Sequence, residues 1–102
     1  MTEEEYGKRN KLERELILAD YMEVLSTEAG KRMIGGIFHV CGLNASGISR
    51  EPLEMTYQMG LRDAGLAVAN TLRELHPRLV GECEAAYRDF IRRLDESETT
   101  TI

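Results

Sequence analysis

A chain of 102 residues, 42% hydrophobic and 30% charged, reads as one globular domain with a single core, too apolar to remain disordered. Its net charge of -5 and pI near 5.0 disfavour a phosphate backbone, so nucleic acid is an unlikely partner by charge alone. No run approaches the ~20 apolar residues of a membrane span, and the leading MTEEEYGKRNKLERE lacks the apolar core of a secretory signal.

The first helix is expected over residues 3–25, with Leu12, Leu16, Ala19 and Tyr21 to Leu25 as its apolar side. Glu3, Glu4 and Glu5 precede Lys8, Arg9, Lys11 and Arg14, an order that suits the helix dipole. Gly7 and Asn10 weaken this charged part, so the segment 1–20 is expected either to fray or to order against a partner. Ser26 and Thr27 are candidate N-caps for a second helix over 28–41, closed by Gly42. Its apolar residues are Ala29, Met33, Ile37 and Val40, with Ile34, Phe38 and Cys41 alongside.

GLNASGISR is a loop by composition, and Pro52 then stands in the first turn of a third helix over 52–75. That helix presents Leu53, Tyr57, Leu61, Ala64, Val68, Leu72 and Leu75, and His76-Pro77 ends it. A fourth helix over 77–96 carries a seam of Val80, Cys83, Tyr87, Phe90 and Leu94 at steps of three and four. Leu79, Ala86 and Ile91 widen the seam, which favours a core-facing helix over a free zipper. A polar tail, 97–102, follows. No window alternates as a strand does, so the fold class is all-α, a small bundle of about four helices in one domain over 1–102.

Small residues in the third helix, Gly60, Ala64 and Gly65, would let another helix approach closely, within the chain or from another subunit. Gly35-Gly36 raises the same question, and the two glycine sites could face one another. Asp20, Arg32 and Arg62 are candidates for structural ion pairing.

The run LSTEAGKRM superficially suggests a phosphate loop, but Leu25 stands where the leading glycine is needed and Arg32 where a magnesium-holding hydroxyl is needed. It also follows a helix, so no nucleotide site is expected. His39, Cys41, His76 and Cys83 have zinc-ligand types without chelating spacing, and neither metal nor cofactor is expected. The two cysteines read as buried reduced thiols, which fits a cytosolic setting. Glu51, Glu54, Asp63 and Glu74 are spread as a solvated face is, and no nucleophile has a local base, so the chain is not expected to be an enzyme. A helix-turn-helix reader is disfavoured by the loop Gly42 to Arg50, longer than the usual turn, and by the scarcity of base on the helix after it, Arg62 and Arg73.

The order ADYMEVLSTEAGKRMIGGIFHVCGLNASG, then EPLEMTYQMGLRDAGLAVANTL, then YRDF, resembles a family of small proteins from the virion-structure gene cluster of tailed phages, first named from an open reading frame of a Bordetella phage. The matching positions are Asp20, Val24 to Arg32, Pro52, Leu53, Gly60, Arg62, Gly65 and Leu66, and the likeness spans about Asp20 to Phe90. Lys31 replaces the usual arginine, Gly35-Gly36 replaces bulkier residues, and the loop lacks the family's aromatic residue. The resemblance implies a non-enzymatic structural or assembly protein, an internal virion component or a small adaptor, in the particle or in the cytoplasm of the infected host. Its partners would be other virion proteins or further copies of itself, met through the charged first helix and the seam of the fourth. The alternative is a small regulatory or DNA-associated helical phage protein.

Overall fold

The structure, a computed structural model, describes residues 1–43, 45 and 47–100, the side chains of Thr99 and Thr100 apart. Four α-helices follow one another: α1 Glu3–Leu25, α2 Glu28–Val40, α3 Pro52–Leu75 and α4 Leu79–Thr100. No strand occurs among the described residues. The all-α class is as the periodicity requires.

Each boundary has a local cause. A capping box opens α1: the Thr2 hydroxyl accepts from the Glu5 N–H, and the Glu5 carboxylate accepts from the Thr2 N–H, each at 3.3 Å. Glu3, Glu4 and Glu5 lie at the positive end of the dipole. Thr27, not Ser26, is the N-cap of α2, its hydroxyl accepting from the Gly30 N–H at 2.9 Å. Ser26 instead ends α1, its hydroxyl donating to the Glu23 carbonyl at 2.6 Å.

The corner between α1 and α2 is tight because residue 30 is glycine. A Cβ there would stand 2.7 Å from the Val24 carbonyl carbon and 3.1 Å from Thr27 Oγ1. At the other end of α2, Gly42 takes a φ of +67°, its N–H donates to the His39 carbonyl, and the Leu43 N–H donates to the Phe38 carbonyl. This double closure is a Schellman motif, and half-buried Leu43 packs against the core beside it. Cys41 is thus the C-cap of α2 and not its last turn.

Glu51 caps α3, its carboxylate accepting from the Leu53 and Glu54 N–H groups at 3.2 and 2.7 Å, with Pro52 following in the first turn. His76 is extended, with φ -162° and ψ 136°, and ends α3. Pro77 lies in the turn that follows, so α4 starts at Leu79, two residues later than its expected start. The Arg78 N–H donates to His76 Nδ1 at 3.1 Å, which gives that histidine a helix-end role. α4 runs on to Thr100, so Ser97 to Thr100 of the expected polar tail are helical, and Thr101 and Ile102 lie outside the described residues.

The core sits where the four helices meet: Leu25 of α1, Ile34 and Phe38 of α2, Ala69 and Leu72 of α3, and Leu79, Val80 and Cys83 of α4. Tyr21, Leu43, Val68 and Leu75 pack around it. Beyond this junction the helices project. The extents are 65 × 39 × 20 Å and the radius of gyration is 17.6 Å, against about 13 Å for a compact domain of this length.

Candidate protein interface

α2 and α4 make the central contact, and Gly35 sets its closeness. A Cβ on Gly35 would stand 2.8 Å from Tyr87 Cβ and 2.9 Å from the Cys83 carbonyl carbon. Tyr87 then lies half-buried over Gly36, its ring centroid 5.3 Å from that of His39. Lys31 bridges the two helices to Glu82 at 3.4 Å, and Arg14 of α1 pairs with Glu74 of α3.

The seam expected along α4 is used in two halves. Val80 and Cys83 are core, whereas Phe90 and Leu94 are exposed. The Arg32 guanidinium lies 5.0 Å from the centre of the Phe90 ring, a cation–π contact at the edge of this apolar strip. On α2 the stripe Ala29, Met33, Ile37 and Val40 faces outward, Val40 being 72% exposed, while Ile34 and Phe38 carry the burial. Ala29, Met33 and Gly36 meet Tyr87 and Phe90 in a shallow depression that Arg32 also lines, so the outer stripe of α2 adjoins the free half of the α4 seam at Met33 and Phe90.

α3 also departs from its expected face. Leu53 is 81% and Tyr57 67% exposed, and its buried residues are Gly65, Ala69 and Leu72. The reason is close approach: a Cβ on Gly65 would stand 2.7 Å from Cys41 Cβ, so α3 meets the end of α2 at a glycine, while Tyr57, Leu61 and Arg62 border a cleft beside Cys41. Gly60 and Ala64 point away from this contact; a Cβ on Gly60 would meet nothing within 4 Å, and Ala64 is exposed. The three small residues therefore serve two different sides of α3. Nor do the glycines of α2 and α3 face each other, since Gly35 meets α4 and Gly65 meets Cys41.

On α1 only Leu25 is buried and Leu18 and Tyr21 are half-buried, while Leu12, Leu16, Met22 and Val24 are exposed. Asp20, Arg32 and Arg62 are not joined in any ion pair found among the described residues. Asp20 shares one face of α1 with Leu16 and Ile17, Arg32 is held at Phe90, and Arg62 lines a cleft with Tyr57, Ile48 and Cys41.

His39, Cys41, His76 and Cys83 do not assemble, and no group of three or more metal-ligating side chains occurs among the described residues. The Cys83 thiol is fully buried, and burial pushes its pKa up from 9.0 to about 11, so it stays protonated. Its nearest charges are Lys31, which opposes the shift, and Glu82 and Glu84, which add to it. No helix among the described residues is long and apolar enough to cross a membrane.

Comparison of the chain with protein-family models, curated proteins and solved structures finds no match. The surfaces that the sequence did not signal are the outward stripe of α2 and the free face of α3. Their apolar residues were visible as periodic positions, but periodicity does not distinguish a face covered within the chain from one left open.

Proposed function

We propose that this chain is a non-enzymatic structural or assembly protein of a tailed phage, acting through protein–protein contacts as an internal virion component or a small adaptor. The observation that carries the contact role is the depression where Met33 of α2 meets Phe90 of α4, with Ile37 and Val40 continuing the outer stripe of α2 and Leu94 the seam of α4. These five large side chains are 36% to 72% exposed. Large apolar side chains left open side by side, as Met33 and Phe90 are, mark a surface that docks on another protein. The phage setting rests on the motif order from Asp20 to Phe90. The partners are other virion proteins, and the place of action is the particle or the cytoplasm of the infected host.

Two measurements test this reading. Mass spectrometry of purified particles of the parent phage should detect the chain, and deletion of its gene should reduce particle yield. Met33→Glu combined with Phe90→Glu should abolish capture of virion proteins from infected cells while circular dichroism remains that of a folded helical protein. Particles that lack the chain and form normally without it would overturn the proposal.

A further inference from the structure

We infer that the free face of α3 is the contact between two copies of this chain, paired antiparallel about a two-fold axis between Gly60 and Ala64. Leu53, Tyr57, Gly60, Ala64, Ala67 and Thr71 recur at alternating steps of four and three, which places them in one line along α3. Among the described residues this line is open from Leu53 to Ala67, all five positions being exposed although Tyr57 also borders the cleft at Cys41 and Ile48, and Thr71 is half-buried. Met55 and Met59 are also exposed, on the flank of α3 away from Leu53 and Tyr57, with the polar Glu54, Thr56 and Gln58 standing between the two apolar strips.

The occupant follows from size and area. The two large side chains of the line, Leu53 and Tyr57, stand at its amino-terminal end, and the smaller Gly60, Ala64, Ala67 and Thr71 follow. A parallel copy would set Tyr57 against Tyr57 and leave alanine facing alanine across a gap. Turned antiparallel about the Gly60–Ala64 midpoint, the same face brings Tyr57 onto Ala67 and Leu53 onto Thr71, large into small at both ends. Gly60 and Ala64 then meet at the axis, where the backbones can approach closely. Such self-complementarity is what an isologous two-fold contact requires.

The exposed surface is 7833 Å², whereas a compact monomer of 11.6 kDa exposes about 5,800 Å². The excess of about 2,000 Å² is more than twice the ~800 Å² that each partner contributes to a stable interface. The radius of gyration, 17.6 Å, is close to the roughly 17 Å of a compact body of twice this length. The open shape leaves area enough for such a contact to cover.

The test uses the full chain. Light-scattering mass should be twice 11.6 kDa, and Ala64→Glu or Leu53→Glu, both at exposed positions, should halve it with the helical circular dichroism spectrum retained. Orientation is read by disulfide trapping in a background with Cys41 and Cys83 replaced by alanine. Tyr57→Cys and Ala67→Cys should cross-link when mixed, and neither should cross-link alone. A monomeric wild-type chain, a dimer indifferent to both charged substitutions, or self-cross-linking of Tyr57→Cys would each overturn the inference. The particle assay bears on the virion reading and the mass measurement on this pairing, so either can fail while the other stands.

Discussion

Replacing Gly35 by alanine adds one methyl group at the point where α2 and α4 are closest, and the outcome can be worked out atom by atom. The new Cβ would stand 2.8 Å from Tyr87 Cβ and 2.9 Å from the Cys83 carbonyl carbon, and closer still to the Cys83 carbonyl oxygen. Neither neighbour is a flexible side-chain end; both are fixed by the α4 backbone. Relief requires the helices to separate by roughly 1 Å, and a gap of that size forfeits about a quarter to a half of each dispersion contact it opens. Phe38, Leu72 and Cys83, the most deeply buried large side chains, sit in this junction and would all loosen.

Overpacking of a tight site costs about 1–3 kcal/mol, and a clash with backbone belongs at the upper end. Alanine returns about 1 kcal/mol through its better helix propensity, so the net loss is about 2 kcal/mol. That corresponds to a fall of roughly 8–16 °C in Tm for a domain of this length. The neighbouring position is the control. A Cβ on Gly36 would lie 3.4 and 3.5 Å from the Tyr87 ring edge, close to ordinary contact. Gly36→Ala should therefore be neutral or stabilising by up to about 1 kcal/mol. Thermal and urea unfolding followed by circular dichroism, at one protein concentration throughout, checks both. A Gly35→Ala chain as stable as wild type would refute the close α2–α4 contact.

Three further outcomes are expected. Thr27→Ala removes the acceptor of the part-buried Gly30 N–H and should cost about 1 kcal/mol in urea unfolding; no change would mean that the α1–α2 corner is held otherwise. Cys83 binds its proton more tightly folded than unfolded, so its contribution to stability is complete below pH 9 and is lost as pH rises toward about 11. The wild-type urea midpoint should accordingly fall over that range more steeply than that of Cys83→Ala, and half-exposed Cys41 should react with a thiol reagent in the native state before Cys83 does. Deleting residues 2–11 removes only exposed side chains and should shift stability by no more than about 0.5 kcal/mol, or roughly 2–4 °C in Tm. A much larger fall would show that these turns are covered in solution.

Local chemistry made the helices legible in the sequence, because caps and breakers act over three or four residues. Thr27, Gly42, Pro52 and His76-Pro77 mark ends that lie within two residues of those observed. The early part of α1 is helical despite Gly7 and Asn10 because the Thr2–Glu5 capping box and a run of good helix formers outweigh them. The apolar character of every helix was equally plain. Which apolar residues are inside was not, because that depends on where another backbone arrives. Gly35 and Gly65 admit neighbours that a side chain would exclude, and they turn Phe38, Leu72 and Cys83 inward while Met33, Val40, Leu53 and Tyr57 stay open. A hydrophobic position states only that burial is favourable. Whether the chain itself supplies the cover, or leaves that face for another molecule, is a property of how the helices cross, and only the assembled structure settles it.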